Sequence, residues 1–191
     1  MTGVYLIPLT ENSIENFNKT IRHADESLMN LLNETESWEI QTLLEMNRET
    51  ENRAQNLGLW AYINNRGSNN KSYWNQMKEN DLILFFDFNE KLTVVGRIYR
   101  KPEAIVSPDI AEKLFGEKEF NLFFSIKDLV SFEKSNIKFS DIGAIAGYDF
   151  NFPRGNLRII DKRVKKYDII NRIYELILLE TKNEKMLGVH L

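Results

Sequence analysis

The 191-residue chain contains no cysteine, which excludes a disulfide scaffold and any thiolate metal site. Its two histidines, His23 and His190, are too few for a histidine-based metal cluster. No apolar run approaches the roughly 18 residues of a membrane span. Met1 to Thr10 lacks the basic start of a secretory signal, and Pro8 interrupts its short apolar run. There is neither a G-x-G-x-x-G nor a G-x-x-x-x-G-K-[ST] phosphate loop, and the βαβα alternation of a doubly wound fold is missing. Internal repeats and low-complexity segments are absent as well. These absences lead to the expectation of a soluble, cytoplasmic protein with no metal or nucleotide cofactor.

The residues present are 42% hydrophobic and 12% aromatic, enough for one domain with a proper core. Net charge is −3, but it is unevenly spread. Residues 1–60 hold ten acidic and four basic side chains, whereas 61–191 hold eighteen acidic and twenty-one basic. A nucleic-acid footprint needs a local basic patch rather than a basic whole, so the acidic total does not exclude one.

The chain is organised around Asn56 to Arg100. Leu57–Ile63 is an apolar, aromatic strand, and Asn64–Asn70 is a polar loop containing Gly67. Ser72–Lys78 has the length of a two-turn helix ended by Asn80 and Asp81. Leu82–Phe88 is a continuous apolar run, read as a buried strand. Asn89–Lys91 turns the chain, and Leu92–Tyr99 returns as its hairpin partner with Gly96 at the centre.

Before this stretch, Val4–Leu9 reads as a strand in which Pro8 suits an edge or an end. Helices follow from Thr10 to Arg22, over Asp25–Leu32 and over Glu36–Asn52, a helical insertion at about 11–52. After it, Ser107-Pro108 starts a helix that Gly116 ends. Phe120–Ile126 is a further strand, and Ile137–Gly147 a short helical segment with Asp141 as a capping residue. Leu157–Ile160 has the composition of a last strand, and Lys165 to about Lys182 is a helix. The resulting class is α/β in the α+β sense: short strands in a curved mixed sheet or pseudo-barrel, with helices around it, forming a single domain.

GLWAYI, then SYWNQMKENDLILFF, then TVVGRI resembles the core of the PUA-like superfamily, which includes EVE and YTH domains. Gly58, Leu59 and Trp60 match the G-x-W of YTH readers, whose tryptophan walls an aromatic cage for a methylated adenine. The spacing of Trp74, Asp81, Leu82, Leu84 and Phe85 resembles EVE-type domains. Such domains also occur at the N-termini of McrB-like proteins, the recognition subunits of modification-dependent restriction systems. The resemblance covers residues 4–10 and 56–160. It implies a non-catalytic DNA-binding domain that flips a methylated base, methyladenine before methylcytosine, into an aromatic cage. Its partners would be methylated DNA, an AAA+ GTPase domain in the same full-length chain and a nuclease subunit, with the isolated domain a monomer.

An extruded base is gripped by aromatic faces and by groups that bond its edge. The resemblance assigns Trp60 as a cage wall and the backbone of Ala61 to the base edge. Tyr62 shares the strand face of Trp60 and extends the wall. Leu114 and Phe115, in AEKLFG, match the segment of an apolar cage residue. Asn12 matches a base-binding asparagine, and Trp74 is a further candidate. For each there is an alternative: core packing for Trp60, Tyr62, Leu114, Phe115 and Trp74, and a helix start for Asn12. The second cage tryptophan of YTH domains has no counterpart between Arg100 and Ser107. Tyr99, Phe120 or an aromatic of the 148–152 loop would take its place.

For phosphate contacts, Arg154, Arg158, Lys162, Arg163, Lys165, Lys166 and Arg172 cluster against Asp161 and Asp168. Arg66 and Lys71, in and beside the polar loop, are the candidates to enter a groove. A solvated helix start is the alternative for the cluster. Enzymatic readings are weaker: Asp81 and Asp87 sit at opposite ends of one strand, and the E-x-K of Glu180-Thr181-Lys182 lies on a helix. Two other functions remain open, an RNA-binding reader of the same fold and a protein-interaction domain whose aromatics are all core.

Overall fold

The structure is a computed structural model that describes residues 2–22, 58–103, 105–132, 135–148 and 155–186. The expected helices over 25–32 and 36–52 lie outside these residues. The described elements run in order as follows. Strand β1 (Val4–Pro8) leads to helix α1 (Glu11–Phe17), which passes into a π-helical turn (Asn18–Arg22). Strand β2 (Gly58–Tyr62), helix α2 (Asn70–Gln76) and the strands β3 (Leu82–Phe86) and β4 (Leu92–Ile98) come next. Helix α3 (Pro108–Phe115), strand β5 (Leu122–Ser131), helix α4 (Phe139–Ile145) and strand β6 (Leu157–Ile159) follow. The helices α5 (Asp161–Lys166) and α6 (Ile169–Met186) end the described chain.

The strands form one mixed sheet in the order β2-β5-β4-β3-β1-β6. β1 is parallel to β3, with Leu6 opposite Leu84, and antiparallel to β6, with Leu6 opposite Leu157. β2 is antiparallel to β5, with Trp60 opposite Phe124. β3 and β4 are neighbours joined by the turn at Asp87–Lys91, where Asp87 N–H donates to Lys91 O at 2.9 Å. A connection this short permits only an antiparallel pair. The expected hairpin is therefore present, and so are the expected strands, although β5 runs well past its foreseen end at Ile126.

By its contacts the chain divides into two compact units. The first comprises residues 1–10, 81–95 and 130–191. In it every residue of β3 is buried, which is why LILFF is apolar throughout rather than alternating. Val4, Leu6, Leu84 and Phe86 pack with Phe139 and Ile142 of α4 and Ile169 and Ile173 of α6. Phe86 and Phe139 meet edge to face at 5.0 Å. Pro8 is the last residue of β1, so its missing N–H falls at a strand end although β1 lies inside the sheet.

The second unit comprises residues 11–80 and 96–129. Its helix α3 follows the expected grammar: Ser107 as N-cap, Pro108 in the first turn, and a left-handed Gly116 whose N–H donates to Glu112 O at 2.8 Å. β5 begins two residues later than expected and runs on to Ser131, with Asp128 in the left-handed region at φ 55°.

One expectation needs correction. The helix foreseen over 165–182 is two helices, separated at Tyr167 and Asp168. Asp168 stands at φ 48°, outside helical geometry, and its carboxylate oxygens accept from Asn171 Nδ2 at 3.1 Å. The left-handed backbone at Asp168 is what interrupts the helix, and the apolar periodicity on either side conceals the break.

Gly96 shows why a glycine stands mid-strand. A Cβ there would lie 2.5 Å from Ile126 Cγ2, 3.0 Å from Leu129 Cδ2 and 3.2 Å from Lys127 O. Gly96→Ala is expected to lower stability by about 1–3 kcal/mol through overpacking. The urea unfolding midpoint measures this, and an unchanged midpoint would contradict the close approach.

Candidate nucleic-acid interface

In the second unit the aromatic residues converge on Phe115. As the last residue of α3, Phe115 meets Trp60 edge to face at 6.0 Å and Phe123 at 5.3 Å, and it stacks on Phe120 at 5.7 Å. Its carbonyl accepts from Asn16 Nδ2 at 2.9 Å, tying α3 to α1. Trp60, 3% exposed, takes the edge of Phe17 at 6.1 Å on another side. Tyr62 is buried against Phe124 at 5.2 Å, and Ala61 and Leu114 are buried as well. Of the expected cage residues, Trp60 and Phe115 are thus brought into contact. Phe17 and Phe123 belong to the same cluster, and Phe17 had read only as part of a helical stripe.

These rings touch one another. A base held between two of them needs a separation of about 7 Å between parallel faces, twice a van der Waals contact. Entry of a base therefore requires Trp60 or Phe115 to turn aside. Phe120, at the rim with 9% exposure, is the most accessible ring of the cluster.

Trp74 lies apart from the cluster's rings but is bound to the same strand. Its Nε1 donates to Phe123 O at 2.7 Å. Above its ring, at 4.4 Å, sits the ammonium of Lys101, which also donates to Trp74 O at 2.6 Å and Asn75 O at 3.1 Å. Lys101 thus satisfies carbonyls at the end of α2 while making a cation–π contact, and burial lowers its pKa. Arg66 is exposed in the loop between β2 and α2, where Gly67 takes φ 87°. Lys71 is exposed at the start of α2, and Asn12 is exposed in α1. Asn70 Nδ2 donates to Ile63 O at 3.0 Å, closing the base of the loop that carries Arg66.

The first unit holds the basic cluster, and its members differ in environment. Arg154 lies outside the described residues. Arg158, on β6, donates from Nε to Tyr5 OH at 3.2 Å and pairs with Asp161. Arg163 donates to Ala146 O at 3.0 Å and to Gly147 O, with its guanidinium carbon 3.9 Å above the ring of Tyr148. Both arginines are half-buried, whereas Lys162, Lys165, Lys166 and Arg172 are exposed.

The carboxylates considered for catalysis have structural contacts. Asp81 is buried and accepts from Gly3 N–H at 2.6 Å. Asp87 Oδ1 accepts from Asn89 and Lys91 N–H at 2.8 and 2.9 Å, fixing the hairpin turn. Glu180 is buried and accepts from Asn136 N–H. Among the described residues no group of three or more potential ligands could hold a metal ion, and no helix is long and apolar enough to cross a membrane.

No family model matches the chain, and no curated protein matches it significantly. In architecture it is similar to the N-terminal domain of Thermococcus gammatolerans McrB, a structure solved bound to m5C DNA. The TM-score is 0.55 at 17% identity, over 90% of this chain and 99% of that one. The chain accordingly shares the fold of that McrB domain.

Two outcomes follow from the packing. Trp60→Ala is expected to destabilise the protein by about 3–5 kcal/mol, because the buried indole leaves a cavity between Phe17 and Phe115. A thermal melt reads this directly. Tyr5 is buried beneath Arg158, and desolvation raises its phenol pKa from 10.0 to about 12, although the Arg158 bond lowers it in part. The unfolded phenol loses its proton first, so stability falls as pH rises from 10.0 towards about 12. Tyr5→Phe removes that part of the alkaline loss, which denaturant titrations across the interval detect.

Proposed function

We propose that this chain is a recognition domain for methylated DNA, serving a McrB-type modification-dependent restriction system. The observation that carries the reading is the shared fold with a McrB domain captured on m5C DNA, over nearly the whole of both chains. The aromatic cluster around Phe115 supports it, since an extruded base needs π-faces and an apolar lining for its methyl group. Burial of that methyl contributes about 0.8 kcal/mol and stacking roughly 1–3 kcal/mol.

In this reading the base enters beside Phe120, and Trp60 and Phe115 open to receive it, with Leu114, Tyr62 and the Ala61 backbone behind them. Asn12, exposed on α1, binds the base, and Trp74 holds the Phe123 carbonyl through its indole N–H. Arg66 and Lys71 approach the groove. Lys162 and Lys166, with Arg154, Arg158 and Arg163, meet phosphates. The domain is not itself catalytic. Nucleotide hydrolysis and cleavage belong to an AAA+ GTPase domain and a nuclease subunit, and the recognition domain alone is a monomer in the cytoplasm.

The mark is a methylated base. The likeness to YTH readers points to methyladenine, and the McrB complex adds methylcytosine as the second substrate to test. Titrating the chain against duplexes carrying N6-methyladenine, m5C or no mark, and against RNA of the same sequence, separates the readings. Tighter binding of one methylated duplex is expected, and equal affinity for all duplexes would overturn the proposal. Preference for RNA would transfer the fold to the other substrate. Trp60→Phe, which retains a ring at the site, is expected to keep the fold and lose part of the discrimination. An unchanged ratio would remove Trp60 from the site. Lys162→Ala with Lys166→Ala should weaken every duplex alike and reduce the salt slope by about one unit per lost phosphate contact.

A further inference from the structure

A second combination of rings and cations lies on the first unit. On α5, Lys162, Lys165 and Lys166 stand at i, i+3 and i+4 and share one exposed face, while Val164 is buried. Next to them Arg163 covers the ring of Tyr148 at 3.9 Å, and its bonds to Ala146 O and Gly147 O hold the guanidinium in place. The ring of Tyr167 packs on Gly147 so closely that a Cβ there would lie 2.8 Å from it. The Lys166 ammonium sits 4.8 Å over that ring and lowers the Tyr167 pKa by hydrogen bonding and charge. Tyr148, Arg163, Tyr167 and Lys166 therefore form a contiguous strip.

Along the chain the segment carrying the strip is basic. Residues 158–172 contain six basic side chains and two acidic ones. Of the two, Asp161 pairs with Arg158, and Asp168 accepts from Asn171. Phosphates of a duplex require only the cations. Half-buried tyrosines interleaved with them add π-faces, which a duplex backbone does not use and unstacked bases do. A planar, anchored guanidinium offers the same kind of face.

We propose that Tyr148, Arg163, Lys166 and Tyr167 are a stacking surface for single-stranded DNA, with Lys162 and Lys165 on its phosphates. Lys166, now over the Tyr167 ring, moves to a phosphate when a base takes its place. This goes beyond the methylated-duplex reading: Lys162, Arg163 and Lys166, given there to duplex phosphates, here serve a single strand together with Tyr148 and Tyr167, and no methyl group is recognised.

The test is a fluorescence anisotropy titration of the 191-residue chain with labelled, unmethylated oligo(dT), competed with unlabelled duplex of equal length. Binding that the duplex competes poorly is expected. Tyr167→Ala should weaken it by about fivefold to a hundredfold, the range for one lost stacking contact. Lys165→Ala with Lys166→Ala, two exposed positions that leave the fold intact, should flatten the salt slope by about 0.7 per lost phosphate. No binding of oligo(dT), or affinity and slope unchanged in the lysine pair, would overturn the proposal. So would duplex competing as well as single strand. Loss of oligo(dT) binding in Tyr167→Ala with methyl discrimination intact on duplex would separate this surface from the aromatic cluster.

Discussion

The second unit depends on the position of one ring. Phe115 touches Trp60, Phe120 and Phe123, so it simultaneously covers the edge strand β2, the rim and the neighbouring strand β5. Its place is set by the helix behind it, started by Ser107 and Pro108 and stopped by Gly116, and by Asn16 holding its carbonyl. Phe123 passes the constraint on, since its carbonyl holds the Trp74 indole and Trp74 carries Lys101. The loop bearing Arg66 starts at the end of β2 and closes at the start of α2. Its geometry is therefore tied on both sides to the same aromatic packing.

The first unit applies a different rule to its charges. Its half-buried arginines are used internally, Arg158 on Tyr5 and Asp161, and Arg163 on two carbonyls and the Tyr148 ring. A guanidinium with five donors and two flat faces can satisfy several partners in a partly dry site. The lysines Lys162, Lys165 and Lys166 remain exposed, where a strongly hydrated ammonium is stable, with Lys166 resting over the Tyr167 ring. Among the six described members of a basic cluster that look equivalent in sequence, the structure thus separates the half-buried Arg158 and Arg163 from the exposed Lys162, Lys165, Lys166 and Arg172.

Much of the fold was legible. LILFF between turn residues reads as a buried strand, and the Asp87–Lys91 turn makes a hairpin the only short return. Pro108 and Gly116 mark the two ends of α3. The break at Asp168 was not legible, because the Ile and Leu residues before and after it keep a helical period. Neither was the length of β5, whose second half, from Lys127 on, is no longer fully buried. Around the candidate site, Trp60 and Phe115 were recognisable from the GLW and LFG segments. Their contact with each other, and the presence of Phe17 and Phe123 beside them, were not.

The sequence by itself determined what depends on neighbours along the chain: strand and helix positions, the hairpin, the caps of α3 and the basic cluster before α6. Backbone sterics, turn geometry and apolar periodicity act over a few residues, so they leave a readable pattern. Tertiary structure alone decided which side chains meet. Trp74 finds Phe123 across 49 positions, Asn16 finds Phe115 across 99, and Tyr5 finds Arg158 across 153. Such contacts are selected by burial and by the satisfaction of polar groups in three dimensions, and neither leaves a spacing rule in the sequence.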